Sequence, residues 1–162
     1  MRFLKLAPAA CVLAVVSTAS AQAPQTEHNV SMAMAIAILQ GTLEQCTKDG
    51  KKVSVVIVDK GGNIAAMVRG DGTGPHTVET ARLKAYTART RGITSLEFKE
   101  STATPETAIF RVLPGTIALG GGVPIKMGAE TIGGVGVSGA PKDTEDEACA
   151  KAGIAKVEAS LK

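Results

Sequence analysis

The stretch VSVVIVDKGGNIAAMVR, Val53 to Arg69, decides the fold class. Val53 to Asp59 is a β-branched run of strand length. Lys60-Gly61-Gly62-Asn63 has the chemistry of a hairpin turn, and Ile64 to Arg69 reads as the returning strand. An antiparallel pair therefore lies at the centre of the chain, and the flanking segments must cover it. Upstream, Met32, Ile36, Leu39 and Leu43 recur at three- and four-residue spacing, which predicts a helix from Val30 to about Lys48, stopped at Gly50. Downstream, a Gly-rich loop (Gly70–Pro75) leads into a helix that starts near His76 or Thr77 and runs to about Arg91. Thr94 with Glu97 matches a capping box and opens a short helix over 95–103. Beyond the Pro114-Gly115 turn, Ile117–Gly120, Pro124–Met127 and Ile132–Ser138 read as strands. A second capping box, Thr144 with Glu147, opens a last helix from about Glu145 to Leu161. Strands joined by tight turns make an antiparallel sheet. The pattern predicts an α+β sandwich of about five strands, with helices at both ends of the chain available to cover one face.

Chain length bounds the rest. At 162 residues, one domain is expected. Aromatic residues are 2%, with no Trp and one Tyr, so the core must be built from Val, Ile, Leu, Ala and Met. Residues 1–23 read as a secretory signal: Arg2 and Lys5, an apolar run from Leu6 to Val16, then Ala19-Ser20-Ala21 and Ala21-Gln22-Ala23, both of which fit small-x-small cleavage. The apolar run is shorter than the ~20 residues that span a bilayer. Residues 24–162 are then the working domain, secreted or periplasmic, beginning with a short arm at 24–28. Loss of Arg2 and Lys5 lowers the net charge of +3 to about +1, too little to attract nucleic acid. No stable membrane insertion is expected after cleavage. Cys46 and Cys149 remain, one in each terminal helix; an oxidising compartment permits a disulfide, but the preferred reading is two small buried apolar residues.

The motifs exclude more than they assign. Gly134-Val135-Gly136-Val137-Ser138-Gly139 matches G-x-G-x-x-G, but no βαβ unit can follow it, so a dinucleotide site is rejected. Gly120-Gly121-Gly122 is read as a bulge or tight turn before an anion nest. No nucleophile elbow is present. Neither His28 nor His76 has partners at zinc-like spacing. His76 stands near Asp71 and Glu79, a trio able to hold a surface metal ion weakly.

Five segments in order carry a resemblance: VVIVDKGGN (55–63), RGDG (69–72), KAYTA (84–88), GGVPI (121–125) and IGGVGVSG (132–139), closed by Asp146-Glu147 and Ala152-Gly153. With these segments the chain resembles the GlcG/HbpS family of haem-binding or "haem-degrading" domains, most closely its exported members. The resemblance implies a profilin-like fold with five antiparallel strands, assembly as homo-oligomers (often octamers), and haem as ligand. It implies that His28, in the arm, and Thr116, in the Pro-Gly-Thr turn, hold the haem iron. It also implies surface iron at a Glu-x-x-Glu pair. Glu79 matches the first glutamate, but Arg82 stands near the second. Three functions follow as expectations: an exported haem-binding protein for iron handling or redox sensing; an enzyme that degrades haem or moderates peroxide; and a small-molecule sensor without haem. The first is preferred, with no catalytic residue assigned. Ile117, Leu119, Val123 and Met127 are the apolar candidates for haem walls, and Arg69, Lys84 and Arg111 the propionate candidates.

Overall fold

The computed structural model describes residues 24–162, so the signal segment assigned to 1–23 lies outside the described residues. The elements run α1 (Met32–Lys48), β1 (Ser54–Val58), β2 (Ile64–Arg69), α2 (Thr77–Arg91), α3 (Ser95–Ser101), a 3-10 turn (Ala108–Val112), β3 (Gly122–Met127), β4 (Glu130–Ser138), α4 (Asp143–Ala155) and a last 3-10 turn (Glu158–Ser160). The sheet has four strands in the order β2-β1-β4-β3, and every pair is antiparallel. This is the expected α+β fold with one strand fewer.

All five residues of β1 are buried because helices cover both faces of the sheet. Val55 and Ile57 join Val123, Ile125, Val135 and Val137 in the larger core, beneath α1 and α4. Val56 and Val58 pack on the other face against Ala81 and Ala85 of α2. Alternation along the strand thus divides one apolar run between two layers. α1 and α4 pack together on one face, as the two terminal helices were expected to.

The fifth strand is absent for a specific reason. Ile117–Gly120 runs beside α2, where the Ile117 amide donates to the Thr87 hydroxyl (2.8 Å) rather than to a neighbouring strand. The last helix also differs. It begins at Asp143, and Glu145 accepts from the Lys142 amide (3.2 Å), so the capping pair sits two residues earlier than Thr144 and Glu147. The Thr94–Glu97 capping box forms as expected.

The cysteines correct the sequence reading. Cys46 of α1 and Cys149 of α4 form a disulfide, with a Cα separation of 5.5 Å. Neither spacing nor periodicity could reveal this, because only the packing of α1 on α4 brings the two thiols together.

Glycines in β4 let α2 lie directly on the strand. A Cβ at Gly136 would collide with the Ala81 carbonyl oxygen and stand 2.6 Å from the Ala85 nitrogen. Both are backbone atoms on the buried face of α2, packed against the strand. Gly136→Ala is therefore expected to destabilise the fold by about 1–3 kcal/mol, the range for an overpacked interior. Urea unfolding checks this; an unchanged midpoint would show that α2 can lift from the sheet.

Candidate functional site

The arm before α1 is docked by side chains. Val30 is buried in the core, and Ser31 caps α1 by accepting from the Met34 amide (3.2 Å). Asn29 Oδ1 accepts from the Lys60 amide at 2.8 Å, which ties the arm to the β1–β2 turn. His28 Nδ1 lies 2.9 Å from Glu130 Oε2, at the start of β4. Lys60 Nζ donates to Glu130 Oε1 (2.5 Å) and also faces Glu27 (3.5 Å). The Glu130–Lys60 pair thus holds the arm within one protomer.

One nitrogen of His28 is thus engaged. The other, Nε2, makes no hydrogen bond among the described residues, and the side chain is 65% exposed. The hydrogen bond from Lys60, followed by that from His28, holds the Glu130 carboxyl below its ordinary 4.5. A depressed carboxyl is charged, and the contact stands, above the ordinary pKa. The contact is lost only as pH falls through the depressed value. Glu130→Gln is expected to loosen the arm at neutral pH, with amide exchange at Val30 and Ser31 roughly two- to fivefold faster, the scale of an exposed ion pair. The native protein should show the same loosening only in acid. Equal protection in variant and native protein would mean that Asn29 and Val30 alone hold the arm.

Thr116 sits at the other side of the same end of the molecule. Its amide and hydroxyl both donate to the Leu113 carbonyl, at 3.1 and 2.8 Å, which closes the Pro114-Gly115 turn. Tyr86 of α2 fills the space between that turn and the β1–β2 hairpin. A Cβ at Gly62 would stand 2.7 Å from its ring and one at Gly115 3.1 Å, so both turns need glycine there. No hydrogen bond joins His28 to Thr116 among the described residues. The contacts between them run through Glu130, Lys60, Gly62, Tyr86 and Gly115. A groove of about 240 Å³ lies along that path, lined by Lys60, Gly61, Gly62, Tyr86, Arg89 and Thr90. Just before the Thr116 turn, Ile109, Phe110, Val112 and Leu113 are exposed. Arg91 lies 5.6 Å from the ring centres of both Phe98 and Phe110, pinning this apolar segment to α3.

The other candidates have different roles. Val123 is buried in the larger core, and Met127 packs against it, so neither offers a free wall. Lys84 is 3% exposed and bonded to Asp146 (2.8 Å), Arg69 donates to the Thr73 carbonyl, and Arg111 donates to Thr102 and the Lys99 carbonyl. Arg82 donates to both Glu79 oxygens, at 2.9 and 2.8 Å, which occupies the carboxylate expected to hold surface iron. His76 opens onto a separate cleft. Among the described residues, no group of three or more His, Cys, Asp or Glu side chains is placed to hold a metal ion.

These features define a small three-layer α+β module whose open imidazole stands on a clamped arm at the sheet's end. Residues 30–155 match the family model described as "Haem degrading protein HbpS-like", and the chain belongs to that family. Protein GlcG of Escherichia coli strain K12 is 33% identical over 114 residues, covering 70% of this chain and 84% of GlcG. The crystal structure of HbpS superposes with a TM-score of 0.79 at 34% identity, over 86% of this chain and 97% of HbpS. The structure of a PduOC:haem complex shares the fold, with a TM-score of 0.70 at 24% identity over 78% of this chain and 93% of that one.

Proposed function

We propose that this chain is an exported haem-binding protein that presents His28 to the haem iron. The observation that carries the reading is the state of His28: one ring nitrogen is held by a carboxylate and the other is free and open to solvent. A metal-ligating histidine characteristically donates its second nitrogen to such a carboxylate, which fixes the ring and makes it a better ligand. Neutral imidazole is a common axial ligand of haem iron. The family description and the haem complex of PduOC support haem as the ligand class.

Thr116 contributes more weakly. Its hydroxyl proton is committed to the Leu113 carbonyl, which leaves only oxygen lone pairs to approach the haem. The groove beside Tyr86 is smaller than the ~300–1,000 Å³ that encloses a drug-sized ligand. One protomer therefore binds haem on an open face, and a second copy supplies the rest of the enclosure. The exposed Ile109, Phe110, Val112 and Leu113 support this reading, since clustered exposed apolar side chains mark association surfaces. The Cys46–Cys149 disulfide supports a secreted or periplasmic location, because such bonds persist in oxidising compartments.

The family description favours a second reading, in which the protein degrades haem. Hemin titration followed by absorbance separates the two, with catalase present to suppress coupled oxidation. The binding reading predicts a saturable Soret shift and a complex that persists when reductant is added. Loss of the Soret band with release of iron would establish degradation. A shift that never saturates would reject both readings.

A further inference from the structure

We propose that the cleft between α2 and α4, at the opposite end of β1 and β4 from His28, binds a small hydroxylated organic acid. The cleft has a volume of about 710 Å³. Its floor is charged and buried. Lys84 and Asp146 are both 3% exposed in their side chains and paired at 2.8 Å, and Lys84 Nζ also donates to the Val137 carbonyl (3.0 Å). An ammonium has three protons, so one remains after these two bonds.

Ser138 supplies a hydroxyl that is open to the cleft. It is the last residue of β4, is only 6% exposed and lines the cleft, yet its hydroxyl makes no hydrogen bond among the described residues. Ser54, directly opposite on β1, shows the contrast: its hydroxyl is held by Thr77 at 2.7 Å and approached by Thr73 at 3.4 Å. A hydroxyl left open on a cleft beside a lysine suits a ligand oxygen.

The charge balance selects the ligand's sign. Both carboxylates that reach the cleft are already paired, Asp146 with Lys84 and Asp143 with Lys99 (2.7 Å). Lys51 is paired with Glu145 (2.7 Å). Lys52 lines the same cleft, is exposed and has no ion pair among the described residues. His76 stands at the rim, and Leu119 and Pro141 add apolar wall. One unpaired cation at the mouth takes a carboxylate, and the Ser138 hydroxyl and the remaining Lys84 proton take a hydroxyl or a second oxygen. A compact hydroxy acid satisfies both positions. This assignment is independent of haem binding, since none of these residues touches His28.

The test is amide chemical-shift titration of the purified protein with lactate and malate, with ethanolamine as the cationic control. The expected result is a saturable shift with at least one acid, centred on residues 72–77 and 138–141, and none with ethanolamine. Lys52→Met, at an exposed position that leaves the core untouched, should weaken binding at least fivefold. Ser138→Ala should do the same, and His28→Ala should change nothing. Failure of both acids to give a saturable shift would overturn the proposal, as would shifts of equal affinity in the native protein and in Lys52→Met.

Discussion

Loss of the Cys46–Cys149 disulfide is expected to lower the unfolding free energy by about 2–5 kcal/mol, the range found when a native bridge is removed from a small secreted domain. The bridged residues are 103 apart in sequence. For a loop near that length, chain entropy alone predicts about 4.7 kcal/mol. The bond joins α1 to α4, the two helices that together cover the larger core. Severing it leaves the two helices held by packing on each other and on the sheet. Urea unfolding with and without reductant, beside the double variant Cys46→Ala, Cys149→Ala, makes the measurement. Reduction and double substitution should agree, because both remove the same constraint from the unfolded chain. A loss under about 1 kcal/mol in both would show that the bridge does little to limit the unfolded ensemble.

Lys84→Met is expected to cost about 3–5 kcal/mol, because it leaves the buried Asp146 carboxylate without its cation. Asp146 would keep one hydrogen bond, from the Ala140 amide at 3.0 Å, and lose the other. Burial already raises the Asp146 pKa above 3.8, against the opposing charge and hydrogen bond of Lys84. Removing Lys84 raises it further. A carboxyl whose pKa is raised by folding takes up a proton more readily in the native state, so its cost appears as pH rises through the raised pKa. The variant should therefore be least stable at neutral pH and recover part of its deficit in mild acid. The double variant Lys84→Met, Asp146→Leu removes both charges and should restore most of the stability, since apolar replacement of a buried pair is often neutral or better. Stability of Lys84→Met equal to that of the native protein at pH 7 would show that water reaches the pair.

Local chemistry explains what the sequence made legible. The hairpin of β1 and β2 announces itself through β-branched residues around Lys60-Gly61-Gly62-Asn63, and both strands appear there. The α1 helix and the Thr94–Glu97 box are also local signals, and both form, but the buried face of α1 is Ala35, Ile38, Thr42 and Cys46, whereas Met32 and Ile36 of the expected apolar stripe are exposed. The strand read at Ile132–Ser138 is also present, and α2 lies on its Gly134 and Gly136. Long-range pairing produced the rest. The disulfide, the Lys84–Asp146 pair and the His28–Glu130 contact join residues 103, 62 and 102 positions apart. No periodicity encodes such pairs. The supposed strand at Ile117–Gly120 had apolar residues of the right kind, but the Thr87 hydroxyl claimed the Ile117 amide that a strand would have shared. His28 came from resemblance to a family. The carboxylate and lysine that hold it came only from the fold.

The most direct test of the central claim is hemin titration of the native protein beside His28→Ala, read by the position and amplitude of the Soret band. His28 is exposed and, among the described residues, bonded only to Glu130, so its loss should leave the fold intact. The account predicts saturable binding in the native protein and, in the variant, a displaced Soret band with affinity lower by tenfold or more, equivalent to about 1.4 kcal/mol. Identical spectra and identical affinity in the two proteins would contradict it and would place any haem elsewhere on the molecule.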